Sequence, residues 1–312
     1  MGELITANNS ISFTDNSLYK PFIDFLDVRE KSIKTYLSGV KRFLQFIIDN
    51  RITQPAREDV IAFIKYLEAE GLKTTTIHGY IVSVKIFFSF LEQEGLYPDI
   101  AKRIKTPSVD RSFKKDYLTA SQAHKLLASI ETDTEKGKRD FAILSLMLTT
   151  GLRTIEVSRA NREDLRARGD SMVLYVMGKG KSSKSEYVKI DDNVEDALRD
   201  YFSCIKMLTR ADTPLFISTS NNNRGHRIST RSIRQIVKSR LIDAGYNSER
   251  LTAHSTRHTA GALNLLNGGT LEETAVLLRH ASTDTTRIYS HMIERDNNES
   301  ERRIANAIFN NT

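Results

Sequence analysis

The stretch that decides the fold of this chain runs from His254 to His291 and reads HSTRHTAGALNLLNGGTLEETAVLLRHASTDTTRIYSH. Its chemistry is concentrated in a phenol, two imidazoles and a guanidinium, which belong to Tyr289, His254, His280 and Arg257. A guanidinium offers a planar fork of donors that suits a phosphate. A phenol beside imidazoles suits nucleophilic attack coupled to proton transfer. The stretch therefore indicates chemistry at a phosphodiester, with fixed positive charge around the phosphoryl oxygens.

The local pattern of this stretch is helical. His254 and Arg257 lie at i and i+3, one helical turn apart, so their side chains can face the same direction. His280 falls near the end of an apolar helix over Leu271–Leu278, where a ring can be presented at a helix terminus. The polar run at 282–286 can cap a further short helix before the tyrosine.

The order of these residues resembles the signature of tyrosine site-specific recombinases, the phage integrase family. The resemblance rests on His254–Arg257 (HSTR), on Leu278–His280 (LRH) and on Tyr289 nine residues later. Two further elements lie upstream. Thr150–Glu156 (TGLRTIE) matches the family's first arginine box, and Gly178–Gly180 (GKG) matches its hairpin lysine. Catalytic-type positions in the right order, followed by the tyrosine, make this resemblance specific.

The resemblance implies an enzyme that cleaves and rejoins DNA through a 3′-phosphotyrosyl intermediate, without metal, ATP or any other cofactor. It implies a role for each matching residue: Tyr289 as nucleophile, His254 as general base, Arg153 and Arg257 as ligands of the non-bridging oxygens, His280 as a hydrogen-bond donor, Lys179 as general acid and Glu156 as support for the first arginine box. Lys181 and Lys184 are rivals for the hairpin position. Competing tyrosines include Tyr201 and Tyr246, but only Tyr289 has the family's spacing.

Composition limits the class of protein. Hydrophobic residues make up 39% and charged residues 27% of the 312 residues, which is typical of a soluble globular chain with one to three domains. No apolar run approaches the ~20 residues of a membrane span, and the N-terminus lacks a signal-peptide pattern. The single cysteine, Cys204, excludes an internal disulfide and favours a reducing cytoplasm. No His/Cys cluster has zinc spacing.

The charge balance points to the partner. The net charge is +7 and the pI is about 9.3, which favours a polyanionic partner such as double-stranded DNA. Solubility alone would also explain this excess of positive charge.

Helical periodicity predicts an all-α module over residues 14–105, after a flexible N-terminus at 1–13. Its four helices begin near Asp15, Ser32, Pro55 and Thr74. The resemblance identifies this module as the family's core-binding domain, which clamps DNA. A polar, proline-bearing stretch at 106–116 then reads as an interdomain linker.

Residues 117–312 are predicted to form a mixed α/β, mostly helical catalytic domain. A capping box at Thr119–Gln122 begins its first helix, and the apolar segment Arg139–Thr149 predicts the central core helix. An apolar run at 172–177 and a partner strand at 186–190 predict a β-hairpin. Further helices are predicted at 191–208 and 230–244. The predicted fold class is mainly α with a small β component.

Basic side chains on both domains are candidates for contacts with DNA phosphates. They are Lys31, Lys34, Lys41, Arg42 and Lys85 in the helical module, and Arg231 and Arg234 on the helix at 230–244. A solvated surface is the alternative explanation for each of them. The tail at 303–309 has an apolar stripe that packs on its own domain or, as in relatives, on a neighbouring protomer. The resemblance implies a homotetramer on DNA, formed from a chain that can be monomeric in solution.

Two other functions use the same chemistry or fold. A type IB topoisomerase shares the active-site residues but relaxes supercoils, and a DNA-binding protein of this fold can have lost catalysis. The complete residue set argues against the second alternative. The short helical module and the tail favour a recombinase over the first.

Within the family, the compact layout resembles Xer-type recombinases and the small integrases of mobile elements. Arg279 stands where Xer-like sequences usually have glycine, so integration or excision by a mobile element and resolution of chromosome dimers both stay open. The residues do not specify the DNA site, the directionality or any accessory protein.

Overall fold

The computed structural model describes residues 18–26, 28, 30–108, 116–178, 183–205, 212–280 and 298–309. The chain divides into two compact units, Met1–Ser112 and Phe113–Thr312. The predicted N-terminal segment at 1–13 and most of the predicted linker at 106–116 lie outside the described residues. The exact domain limits therefore stay predictions.

The described helices of the first unit are α1 (Tyr19–Phe25), α2 (Glu30–Asp49), α3 (Arg57–Ala69) and α4 (Thr74–Gln93). Their apolar faces meet in a core rich in phenylalanine. Phe43 contacts Phe63 and Phe88 edge to face, with ring centroids 5.2 and 5.7 Å apart, and such pairs add roughly 0.5–1.5 kcal/mol each. Helices α2 and α4 approach closely at Gly39, where a Cβ atom would lie 2.6 Å from Ser83. The predicted helical module is confirmed.

Helix α4 is long and apolar enough, by length and composition alone, to cross a membrane. The sequence did not suggest this, because polar residues interrupt its apolar ones. The core helix of a soluble protein passes the same test, and α4 has that setting: Ile81, Val84 and Phe88 are fully buried in the core of the first unit. Helix α4 is therefore the central helix of this core.

The described helices of the second unit are α5 (Ala120–Ala128), α6 (Glu135–Thr150), α7 (Thr154–Arg159), α8 (Asp192–Cys204), α9 (Thr230–Asp243), α10 (Ala253–Leu266), α11 (Leu271–Leu278) and α12 (Ser300–Phe309). Helix α6 packs against α8 and α10, and its side chains from Ala142 to Leu148 are all buried. The predicted central core helix is thus confirmed. Its rigidity matters because it ends directly before Arg153.

An antiparallel sheet completes the second unit, with strand order β1 (Leu165–Arg168), β2 (Ser171–Val176), β3 (Glu186–Ile190). Leu174 of β2 lies opposite Leu165 and Val188. Strands β2 and β3 match the predicted hairpin. Strand β1 was not predicted, because its sequence LRAR is only four residues long, contains two arginines and is mostly exposed.

The helix start that the sequence predicted at Thr119 is confirmed. The capping box before α5 is present: Gln122 N–H donates to Thr119 Oγ1, and Thr119 N–H donates to Gln122 Oε1. Helix α8 ends at Cys204, whereas the prediction extended to Leu208, and residues 206–211 lie outside the described part of the chain.

Candidate active site

Arg153 is held where two helices meet. Helix α6 ends at Gly151, whose φ of +61° is left-handed and favours glycine. Two residues later, the Arg153 backbone N–H donates to Glu156 Oε2 over 2.8 Å, and its Nη1 donates to Oε1 over 2.9 Å. Glu156 is fully buried. This carboxylate therefore holds both the backbone and the guanidinium of Arg153.

Arg257 lies on α10 and is buried, with 2% of its surface exposed. Its Nη1 donates to the Gly151 carbonyl over 2.7 Å, and its Nη2 donates to the Leu278 carbonyl. These carbonyls close the C-terminal ends of α6 and α11, where unsatisfied acceptors carry partial negative charge. Arg257 therefore connects the segment that carries Arg153 to the segment that carries His280.

A cleft of about 450 Å³ lies beside these residues. Its lining includes Arg153, Arg257, His254, Thr252, and Arg234 and Lys238 of α9. His254 is exposed in the first turn of α10, and its ring packs edge to face against His258 at 4.5 Å between centroids. His254 and Arg257 thus line one cleft, as their i, i+3 spacing allows. Within the described part of the chain, no three His, Cys, Asp or Glu side chains are grouped to hold a metal ion.

His280 follows the end of α11, and its backbone N–H donates to the Ala275 carbonyl over 3.0 Å. Burial is the main cause that lowers the pKa of His280 to about 4, and the positive charges of Arg257, Arg153 and Arg279 lower it further. His280 is therefore neutral at neutral pH. The bond from Arg257 Nη2 to the Leu278 carbonyl links the segment that carries His280 to α10.

Two cationic residues near this site were not among the predicted site residues. Lys238 lines the cleft one helical turn after Arg234, a spacing on α9 that would have indicated it. The side chain of Arg279 is buried, and its Nη2 donates to Glu156 Oε2 over 3.0 Å. Its departure from the family's glycine was visible in the sequence, but the partner 123 residues away was not.

The hairpin lysines separate into two groups. Lys184 Nζ lies 2.5 Å from the buried Asp164 carboxylate, which also accepts a hydrogen bond from the Asn161 backbone N–H. This ion pair gives Lys184 a structural contact away from the cleft lining. Lys179 and Lys181 lie outside the described residues, so Lys179 stays a prediction with Lys181 as its rival.

The nucleophile predicted from the sequence, Tyr289, also lies outside the described residues. Of its competitors, Tyr201 is fully buried and its hydroxyl accepts a hydrogen bond from the Ile217 backbone N–H. Burial raises the pKa of Tyr201 to about 12. A buried phenol with this pKa cannot reach a phosphodiester or ionise readily, which removes Tyr201 as a candidate.

The predicted DNA-binding residues of the first unit have different environments. Lys34 and Lys41 are exposed and line a shallow groove on α2 together with Arg42 and Tyr80. Arg42 is paired with Glu70 at 2.5 Å and also donates to Tyr66, so its charge is partly compensated. Lys85 donates to the Ile104 carbonyl over 2.9 Å. Lys31 belongs to α2, but its side chain lies outside the described part. In the second unit, Arg231 is exposed on α9 and Arg234 lines the cleft.

Comparison with known proteins agrees with this arrangement. The model of the family described as "Phage integrase family" matches residues 116–295. The model described as "Phage integrase, N-terminal SAM-like domain" matches residues 22–95. The chain belongs to the phage integrase family. This integrase-family chain is therefore a tyrosine recombinase, an enzyme class that cleaves and rejoins DNA at specific sites, and the type IB topoisomerase alternative is disfavoured.

Individual relatives cover most of the recombinase. It is 31% identical to tyrosine recombinase XerC of Thermodesulfovibrio yellowstonii, over 84% of this chain and 85% of the relative. It is 30% identical to tyrosine recombinase XerD of Oceanobacillus iheyensis, over 87% and 92%. Its fold is similar to that of XerH site-specific recombinase bound to a palindromic difH substrate, with a TM-score of 0.71, 20% identity and coverage of 89% and 79%. A lambda integrase dimer bound to a core site gives a TM-score of 0.66 at 16% identity, with coverage of 86% and 95%.

Proposed function

We propose that Tyr289 attacks the scissile phosphate of double-stranded DNA and forms a 3′-phosphotyrosyl bond. The phenolic oxygen becomes bonded to phosphorus as the bond to the 5′-oxygen breaks. The phenol proton goes to His254, and Lys179 protonates the departing 5′-oxygen. A phenol has an ordinary pKa of about 10, so attack at neutral pH needs both a proton acceptor and a positive field.

One observation carries this proposal: Arg153, His254 and Arg257 line a single cleft, and Arg257 Nη2 donates to the carbonyl of Leu278, two residues before His280. These residues come from three segments far apart in the chain. Two guanidiniums can hold the non-bridging oxygens, which gain negative charge in the transition state. A neutral His280 contributes one hydrogen bond to the same group.

Rejoining uses the same groups in reverse. The phosphotyrosyl ester conserves the energy of the broken phosphodiester, so a 5′-hydroxyl from another strand can displace Tyr289 without nucleotide fuel. The attacking 5′-hydroxyl gives its proton to Lys179, and the leaving phenolate of Tyr289 takes its proton back from His254. Exchange of two strand pairs in this way passes through a Holliday junction and requires four protomers.

We further propose that the recombinase works in the cytoplasm as a homotetramer on DNA. Helix α12 supports the assembly, because none of its described side chains is buried while Ile304, Ile308 and Phe309 are exposed. Integration or excision of a mobile element and resolution in the manner of the XerC and XerD relatives are both compatible with this chemistry. Footprinting on DNA that flanks the gene would supply the target site and decide between them.

The nucleophile is tested with a nicked suicide substrate that carries the footprinted site. Cleavage releases a short fragment, so the covalent protein–DNA adduct accumulates and is measured on a denaturing gel. We expect Tyr289→Phe to abolish the adduct while the Kd for DNA changes by less than ~3-fold, because only the attacking oxygen is removed.

Tyr246→Phe is the matched control, since Tyr246 is half-buried in the same unit and packs under Lys125. It should form the adduct at the wild-type rate. An adduct that persists in Tyr289→Phe would show that another residue is the nucleophile. Efficient relaxation of supercoiled DNA that lacks the site would instead favour topoisomerase activity.

A further inference from the structure

Arg279 has a backbone conformation that its side chain does not favour. It ends α11 with φ of +52° and ψ of +50°, in the left-handed region that glycine adopts without strain. Among the described residues, Arg51 is the other non-glycine residue with a positive φ, of +56°. A strained backbone retained at a helix end beside an active site suggests that the side chain has a use.

That side chain points into the protein and contacts Glu156, the carboxylate that holds Arg153. The side chain of Arg279 is 6% exposed, its Nη2 lies 3.0 Å from Glu156 Oε2, and its Nη1 donates to the Leu277 carbonyl over 2.8 Å. The same Glu156 oxygen accepts the Arg153 backbone N–H, and the other accepts Arg153 Nη1. One buried carboxylate is therefore shared between two guanidiniums.

This sharing changes the charge that the cleft presents. A lone Arg153–Glu156 pair would be neutral, and its attraction for a phosphate would be weak. With Arg279 present, the three groups carry one net positive charge, and Glu156 is restrained from both sides. Burial lowers the pKa of Arg279, against the opposing effect of Glu156, which shows that the guanidinium is placed there at an electrostatic cost.

We propose that Arg279 is a positioning residue for strand cleavage: by binding Glu156, it leaves the charge of Arg153 available to the scissile phosphate. Arg279 does not itself contact the DNA in this scheme. The inference rests on the proposed function for its kinetic consequence, and on the contacts of Glu156 alone for its electrostatic one.

The kinetic test compares Arg279→Gly, Arg279→Lys and Arg51→Gly. Arg279→Gly removes the charge and the strain together. Arg51→Gly relieves the same kind of strain at an exposed residue of the first unit, so it is the matched control. We expect Arg279→Gly to slow single-turnover adduct formation ~10- to 100-fold at saturating DNA, with less than ~3-fold change in Kd. Arg279→Lys should recover most of the rate, and Arg51→Gly should match the wild type.

A double-mutant cycle asks whether Arg279 acts through Glu156. In the Glu156→Gln background, Arg279→Gly should have little further effect on the rate, because the carboxylate that it compensates is gone. A wild-type rate for Arg279→Gly, a lysine variant as slow as the glycine variant, or additive effects in the cycle would each overturn the proposal.

A second measurement does not depend on turnover. NMR titration of the DNA-free protein gives the pKa of His280. The positive charges of Arg257, Arg153, Arg279 and His254 lower this pKa. Arg279→Gly should raise it, because a cation is removed and Glu156 is uncovered, whereas Arg279→Lys and Arg51→Gly should not. If wild-type protein forms no adduct, the proposed function fails while this titration still decides the role of Arg279: an unchanged His280 pKa would refute it.

Discussion

His280 shows how burial and charge determine the chemistry of one residue. The ring is half-buried, and burial together with the charges of three arginines lowers its pKa to about 4, so at pH 7 it is neutral. A neutral imidazole donates one hydrogen bond and does not add charge to the cleft. In the proposed mechanism, the positive field on the phosphate therefore comes from guanidiniums, whose charge does not change over the physiological pH range.

The depressed pKa predicts how stability depends on pH. A histidine in the unfolded chain has a pKa of about 6.5, so it is protonated below that pH. His280 in the folded protein becomes protonated only near pH 4. The free energy of unfolding should fall as the pH drops from about 6.5 to 4. The half-exposed ring limits the loss to about 1–2 kcal/mol.

Denaturant unfolding of wild type and His280→Gln at pH 7 and pH 5 measures this loss. The glutamine variant keeps a neutral donor but cannot titrate, so its stability should fall less on acidification. Equal losses in the two proteins would contradict the inferred state of His280.

Gly151 is the second residue whose surroundings allow a sharp prediction. A Cβ atom there would lie 2.5 Å from Leu278 Cδ2, and the φ of +61° would be strained for alanine. Gly151→Ala should lower the free energy of unfolding by about 1–3 kcal/mol. It should also slow adduct formation, because Leu278 directly precedes Arg279 and His280.

Gly245→Ala is the control for this effect. Gly245 also has a positive φ near a helix end of the second unit, but nothing lies within 4 Å of the position that an alanine methyl group would take there. We expect it to cost about 1 kcal/mol in unfolding free energy and to leave the rate of adduct formation unchanged. A Gly151→Ala variant no slower than this control would disprove the packing argument.

At the scale of elements, the segment between β2 and β3 includes two lysines with different expected roles: Lys184 is structural and Lys179 is the proposed general acid. Lys184→Met should destabilise the fold by about 1–3 kcal/mol, because it leaves the buried Asp164 carboxylate without its counter-ion. It should change cleavage little. Lys179→Met should instead slow cleavage strongly without a comparable loss of stability.

The hairpin prediction is best checked with a substrate whose 5′-leaving atom is sulfur. A thiolate leaves without protonation, so this substrate should restore cleavage by a variant that lacks the general acid. Rescue of Lys181→Met and not of Lys179→Met would transfer the assignment to Lys181.

Helix α2 makes a prediction about affinity. If exposed Lys34 and Lys41 each contact one phosphate, Lys34→Ala and Lys41→Ala should each lower the slope of log K against log salt concentration by about 1. Lys102→Ala is a control, because Lys102 is exposed in the same unit but does not line the groove that contains Lys34 and Lys41. Binding measured between low and moderate salt gives the slopes, and unchanged slopes in all three variants would place the DNA elsewhere.

At the scale of the whole molecule, the exposed apolar side chains of α12 predict that protomers associate through this helix. The side chains of Ile304 and Ile308 are one turn apart and more than half exposed. Ile304→Glu with Ile308→Glu should convert tetramers on DNA to smaller species, since charged groups resist burial at an interface. Light scattering of the protein–DNA complexes measures this change.

Cleavage of a suicide substrate by this double variant should persist if α12 serves assembly alone, while complete recombination should be lost. Arg302→Ala, on the same helix but paired with Glu299, should retain tetramers and recombination. Tetramers that survive both glutamate substitutions would mean that α12 is not the contact between protomers.

Several features of this protein were predictable because they depend on neighbours in the chain. Helical periodicity indicated the helices of the first unit, an apolar run indicated the core helix α6, and a capping box indicated the helix start at Thr119. Residue spacing indicated His254, Arg257 and His280 as one constellation. Strand β1 was not predicted because it is only four residues long and two of them are arginines, and it is ordered through pairing with β2.

The sequence by itself determined which functional groups the recombinase has and in what order its helices follow. Only the tertiary structure decided how those groups act on each other. Arg257 reaches the carbonyl of Gly151 across 106 positions, and Arg279 reaches Glu156 across 123. Local patterns report an element's own turns and faces, whereas the position of Arg153 and the proton affinity of His280 depend on burial and on partners that only folding brings near.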